Sequence, residues 1–185
     1  MSKLTQSGPG DGDPNTFNAD ESSQPWTPPS KTRQLDAGET DEVTYKWVKC
    51  YTSGLNKDFV GYLSTRGEEH VAIGDTPAYP KAECYWWVGT EGDNYLGKKT
   101  SPRDRWLGWG TGWYAGWALG QARNMGYYTN VIYNPDHTIS PGTYPGRYLA
   151  GPYVWYGINW CWWAPKGEPT ILVCELVEIV PPPPG

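Results

Sequence analysis

From Val43 onward the chain alternates. Val43, Tyr45, Trp47 and Tyr51 fall on one phase and Thr44, Lys46, Val48 and Cys50 on the other, the two-residue period of a strand with one face buried. Residues 84–88 (CYWWV) predict a second strand, and residues 159–163 and 171–180 predict a closing hairpin around Pro165-Lys166-Gly167-Glu168. No segment predicts a helix. The best candidate, residues 114–123, is interrupted by Gly116 and Gly120, each costing about 1 kcal/mol in a helix interior. The pattern predicts an all-β domain over residues 43–180, a compact barrel or sandwich. Residues 181–184, four prolines, enforce polyproline II and end it.

Residues 1–42 read differently. They hold five prolines, four glycines and only Phe17 and Trp26 as aromatics, too little apolar surface to offset the entropy of ordering on their own. The expectation is an extended N-terminal arm that lies on neighbouring subunits, with Phe17, Trp26 and Leu35 as anchors. The alternative is an arm folded back on its own domain.

Charge separates the same two parts. The formal net charge is -5, and all of it comes from residues 1–42, where Lys3, Lys31 and Arg33 face Asp11, Asp13, Asp20, Glu21, Asp36, Glu39, Asp41 and Glu42. The remainder balances to zero. A neutral domain with an acidic arm argues against nucleic acid as a partner, because neutralising phosphates needs a basic excess. No apolar run approaches eighteen residues, so membrane insertion is not expected. The start, MSKLTQSGPGDGDP, lacks the apolar stretch of a secretory signal. That predicts a cytoplasmic stay until assembly or release, after which the protein belongs to a virion or an extracellular surface.

Composition narrows the class. Twelve Trp and fourteen Tyr stand beside two Phe. Trp and Tyr add a hydrogen-bonding edge to a flat apolar face, which suits half-wet surfaces that grip a guest. Sugar rings are the guest they suit best, and subunit contacts are the second use. Cys50, Cys84, Cys161 and Cys174 show no CxxC spacing, so neither a metal nor a cofactor is expected. They read as buried thiols, Cys50 sharing a face with Val48 and Cys174 with Leu172 and Leu176. A disulfide between Cys161 and Cys174 across the predicted hairpin is the alternative in oxidising surroundings.

Three Tyr-Leu pairs recur, at Tyr62-Leu63, Tyr95-Leu96 and Tyr148-Leu149, each followed by a Trp-rich stretch: Trp86-Trp87, Trp113 to Trp117, and Trp162-Trp163. This alternation resembles the β-trefoil lectins and their fascin-like relatives, over residues 43–180. The resemblance implies a threefold barrel with shallow sugar pockets on its lobes. The spacings of 33 and 53 residues are uneven and no QxW triplet is present. A Greek-key sandwich or jelly roll fits the same alternation.

The densest candidate site is residues 103–114, RDRWLGWGTGWY. Glycines at alternate positions bare the neighbouring indoles, so Trp106, Trp109, Trp113 and Tyr114 read as a stacking platform, with Asp104 and Arg105 beside them to meet hydroxyls. The competing reading turns Trp106, Trp109 and Trp113 inward as the barrel floor, and an intermediate one leaves Trp109 and Tyr114 exposed. Asp93-Asn94 before Tyr95, and Asp136-His137 after Asn134-Pro135, are two further ligand-binding candidates that also read as plain turns. Tyr153, Trp155 and Tyr156 read as an assembly contact.

Enzyme chemistry is thinly supported. His70 and His137 show no HExxH spacing, and there is neither a GxSxG elbow nor a GxxxxGK[ST] loop. Paired carboxylates among Glu68, Glu69, Asp75, Asp93, Asp104 and Asp136 leave a glycoside hydrolase open. The expectation is a tryptophan-rich, non-enzymatic structural or decoration protein, carbohydrate-binding and lectin-like, anchored to an oligomeric assembly by its arm. A free-standing soluble lectin is the alternative.

Overall fold

The computed structural model describes residues 44–88, 92–100, 104–109, 111–119 and 129–179. Within them every regular element is a β-strand, except one 3-10 turn at Thr111–Trp113. In chain order the strands are β1 (Lys46–Thr52), β2 (Phe59–Arg66), β3 (His70–Gly74), β4 (Cys84–Val88), β5 (Asn94–Lys98), β6 (Arg105–Trp109), β7 (Ala115–Ala118), β8 (Asn130–Tyr133), β9 (Ile139–Pro141), β10 (Arg147–Trp155), β11 (Ile158–Pro165) and β12 (Leu172–Glu178). The first part of the segment considered as a helix is β7, its Ala115, Gly116, Trp117 and Ala118 all buried, and residues 120–123 lie outside the described residues. Phe17, Trp26 and Leu35 lie outside the described residues.

The hydrogen-bonded path β3-β2-β1-β4-β5-β6-β7 closes on itself where His70 pairs with Gly116, giving a seven-strand antiparallel barrel. Five further strands attach to it. β12 covers the free edge of β1 from Lys46↔Glu178 to Thr52↔Leu172. β8 extends β5 through Asn94↔Val131, and β9 pairs with β8. The amide of Cys174 on β12 donates to the carbonyl of His137, just ahead of β9, at 2.8 Å. The hairpins β2–β3, β6–β7 and β10–β11 come together through His70↔Gly116, Ala72↔Trp160 and Tyr114↔Trp162.

The expected closing hairpin is therefore corrected. β11 does not pair with β12; its partner is β10, joined by the tight turn Tyr156-Gly157, both residues at positive φ (56° and 73°). Such a turn matches the right-handed twist of the flanking strands. β12 instead closes onto β1. That repartnering removes the Cys161–Cys174 bridge: all four thiols are free and buried, and the residue opposite Cys174 is Cys50.

Register also resets the internal repeat. In the three hairpins Leu63 faces Ile73, Leu107 faces Trp117 and Leu149 faces Trp163. The three leucines are fully buried in one core with Val48, Cys50, Cys84, Leu96 and Cys174, each stabilising the fold by about 1.5–3 kcal/mol. An aromatic precedes each: Tyr62, Trp106 and Tyr148. The middle member is thus Trp106-Leu107, not Tyr95-Leu96, and the spacings become 44 and 42 residues. Tyr95-Leu96 sits on β5, where Gly97 has its own reason. A Cβ there would fall 2.6 Å from Tyr85 and 2.9 Å from Trp106.

Candidate functional site

β6 is buried along its whole length because both its faces are covered. Leu107 and Trp109 turn into the main core, while Trp106 turns the other way into a cluster with Tyr85 and Trp87. Trp106 has no exposed surface and Trp109 and Tyr114 are buried, so the platform expected at residues 103–114 is corrected. Trp113, at φ 63° after Gly112 at 76°, stacks on Trp109 with centroids 4.5 Å apart, and the Arg147 guanidinium lies 3.9 Å over its ring. Tyr144 meets both indoles edge-on. Tyr114 stacks against Trp155.

The polar members of that stretch are structural too. The Asp104 carboxylate accepts from the Tyr85 hydroxyl (2.6 Å) and the Thr100 amide (3.1 Å). Arg105 donates to the Trp117 carbonyl (3.0 Å) and pairs with Glu68 (3.1 Å). At the other candidates, Asn94 opens β5 with an exposed side chain and Asp93 follows Gly92 in the turn before it. Asp136 accepts from the amide (3.1 Å) and hydroxyl (2.6 Å) of Thr138, and the hydroxyl bond holds its pKa below the ordinary value. His137, at φ 72°, stacks on Tyr133. Asp136 and His137 thus shape the turn that follows β8. Tyr153, Trp155 and Tyr156 do stand together near the β10–β11 tip, with Tyr156 and Val154 exposed.

A further group of accessible aromatics lies on the outward face of β1 and its neighbours, Phe59 exposed and Trp47, Tyr51 and Tyr62 half-buried. With the small residues Val48 and Cys50 pointing into the barrel, Trp47, Lys49 and Tyr51 must point out. Register sets Val177, Glu175 and Val173 of β12 on one side of them, and Tyr62 and Phe59 of β2 on the other. Phe59 is half exposed; its ring meets Tyr51 at 5.7 Å and Tyr62 at 5.4 Å, both edge-on. The Lys49 amine stands 5.4 Å from the Phe59 ring, and its hydrogen bond with Tyr51 raises its pKa. The Tyr51 hydroxyl donates to Glu175 at 2.9 Å. The Lys81 amine sits 4.5 Å from the Trp47 ring and 4.6 Å from Tyr62. The result is an aromatic sheet face of mutually tilted rings with ammonium, carboxylate and phenol groups distributed across it.

Lys81 also borders a cavity of about 500 Å³ lined by Thr65, Gly67, Glu68, Glu83, Lys98 and Thr100 among others. Lys98, 4% exposed, forms its floor and donates to Thr65 Oγ1 (3.1 Å) and the Glu68 carbonyl (3.2 Å). Burial, then the nearby Arg105 charge, lower its pKa to about 8.

Sequence reasoning missed this face and this cavity. The signal for the face was present: valine and cysteine inward on β1 leave Trp47, Lys49 and Tyr51 outward. Nothing local marks Lys98, whose partners come from Thr65 on β2 and Glu68 in the β2–β3 turn.

Among the described residues no helix is long and apolar enough to cross a membrane, and no group of three His, Cys, Asp or Glu side chains is placed to hold a metal. No family model, no curated protein and no solved structure matches this chain.

Proposed function

We propose that this chain is a non-enzymatic glycan-recognising module, and that its acidic residues 1–42 anchor it to a larger assembly such as a virion or another surface structure. One observation carries the reading: the outward face of Trp47, Tyr51, Phe59 and Tyr62, interleaved with Lys49, Lys81 and Glu175. Sugar rings pack their C–H faces on such rings while their hydroxyls meet charged and phenolic groups. An exposed aromatic face on a β domain also suits a protein partner, and the arm assigns that second use to a different part of the chain.

The β-trefoil is the architecture proposed for it. Support comes from the partition of twelve strands into three hairpins and six others, and from the leucines that recur at equivalent register 44 and 42 residues apart. An experimental structure lacking threefold symmetry would remove that part of the reading.

Oligosaccharide-array binding tests the function. Binding that is lost in Trp47→Ala and Tyr62→Ala supports it, and an array blank at high protein concentration sinks it. Deleting residues 1–40 separates the two roles: incorporation into the assembly is abolished while sugar binding persists. A free-standing lectin would show no such dependence. Glu68 and Glu83 line one cavity, which favours a hydrolase as the second reading. Turnover of an oligosaccharide that disappears in Glu68→Gln or Glu83→Gln would establish it instead.

A further inference from the structure

The cavity beside the aromatic face holds an unusual cation. Lys98 lies almost wholly out of solvent, yet the two hydrogen bonds it donates are to neutral oxygens, Thr65 Oγ1 and the Glu68 carbonyl. The charged and titratable groups around it are Arg105 on β6, Glu68 in the β2–β3 turn, Cys84 on β4, and Lys81, Glu83 and Lys99 in the cavity wall. Both carboxylates are already taken. Glu68 pairs with Arg105 at 3.1 Å and Glu83 with Lys99 at 3.6 Å, so among the described residues Lys81 and Lys98 form no ion pair, and Glu68 acts on Lys98 only from beyond contact. A buried ammonium without a counter-charge is costly, and an anion entering the cavity would supply one. Thr65 and Thr100 line the same wall, their hydroxyls donating to the Gly67 and Lys98 carbonyls.

We infer that this cavity receives the carboxylate or sulfate group of an acidic sugar, so that the glycan crossing the Trp47–Tyr62 face is an acidic one. The inference rests on the glycan reading and narrows it. Lys98 sits at the floor, where a planar or tetrahedral oxyanion meets its remaining proton. Lys81 spans both regions, its amine over the two rings and its side chain in the cavity wall. A single oligosaccharide can therefore lay one ring on the aromatics and set the next residue's anion in the cavity.

The test compares an oligouronate, a sulfated oligosaccharide and the carboxyl-reduced neutral form of the first, by titration calorimetry on the full chain. One of the two acidic ligands is expected to bind about tenfold or more tightly than the neutral one, the usual weight of a charge-assisted contact. Which one it is tells carboxylate from sulfate. Lys98→Met should erase that preference. Because Lys98→Met also alters a buried site, Lys99→Ala serves as the rim control and is expected to reduce the preference only partly. In the unaltered protein the preference should fade as pH rises from about 7 to about 9.5, with Lys98 losing its proton. Equal affinity for acidic and neutral ligands, or a preference that Lys98→Met and alkaline pH leave intact, overturns the inference while the glycan reading stands. Absence of binding to all three ligands overturns both.

Discussion

Trp163 on β11 donates its indole N–H to the carbonyl of Gly108 on β6, 3.2 Å away. Trp117 on β7 does the same to Ser64 on β2, at 3.3 Å. In each case the tryptophan faces a buried leucine of its own hairpin and reaches to the residue after the leucine of the preceding hairpin. Arginines repeat the relation: Arg105 donates to the Trp117 carbonyl at 3.0 Å and Arg147 to the Trp163 carbonyl at 2.8 Å. The first hairpin has Gly61 and Ile73 at those positions and makes neither bond with side chains. Two indoles thus fasten the three hairpins in sequence.

Replacing Trp163 separates its ring from its hydrogen bond. Trp163→Phe is expected to lose about 1 kcal/mol with a small repacking cost, and Trp163→Ala about 3–5 kcal/mol. Urea unfolding followed by circular dichroism measures both. A Trp163→Phe variant as stable as the parent would mean that the bond to Gly108 is energetically idle.

Trp47 and Trp109 should behave oppositely. Trp47→Ala is expected to weaken oligosaccharide binding by about 1–3 kcal/mol with a nearly unchanged melting temperature. Trp109→Ala removes a core ring stacked on Trp113 and is expected to cost about 3–5 kcal/mol of stability. Calorimetry of binding and of unfolding on the same pair of variants decides the assignment.

Gly97 lies where no side chain fits, between Tyr85 and Trp106. Gly97→Ala is expected to cost about 1–3 kcal/mol through displaced rings, with a change in near-ultraviolet dichroism. A neutral result would mean that the two aromatics move aside freely.

Lys98 makes stability depend on pH. Its pKa in the fold is about 8, against 10.5 for a free lysine. Between those values the unfolded chain holds the extra proton, so folding becomes more favourable as pH rises through this window, and the full penalty remains below it. The thiols of Cys50, Cys84 and Cys161 are raised in the fold, Cys84 and Cys161 chiefly by burial, and act in the opposite direction. They are common to both proteins when Lys98→Met is compared with the parent. The advantage of Lys98→Met over the parent should therefore shrink between about pH 8 and pH 10.5, by on the order of 3 kcal/mol. A pH-independent difference would place the Lys98 amine in water.

All four cysteines are fully buried and free. A water-soluble disulfide reagent is expected to titrate no thiol in the folded protein and all four in guanidinium. Rapid reaction of Cys50 or Cys174 without denaturant would contradict the barrel interior described above.

Period-two alternation was enough to make the domain all-β, to place β4 on its own residues and to leave residues 114–119 without a helix. It also put Cys50 with Val48 on a buried face. The partners of β11 and β12 were not legible, because antiparallel pairing depends on which strand offers matching register. Pro165 to Glu168 looks like a hairpin turn from sequence, yet the chain leaves it for different neighbours. The site was misplaced for a related reason. Glycine beside tryptophan signals close approach, but only packing says whether a ligand or another ring comes close. At Trp106 and Trp109 it is another ring.

The sequence by itself determined the strand class, the buried cysteines and the abundance of aromatics, because these follow from local geometry and composition. Which aromatics face water, and which lysine is sealed beneath a cavity without an acid of its own, was decided by tertiary structure alone. Exposure and charge environment belong to the space between strands, and residues as distant in sequence as Lys49 and Glu175 become neighbours only when β12 closes on β1.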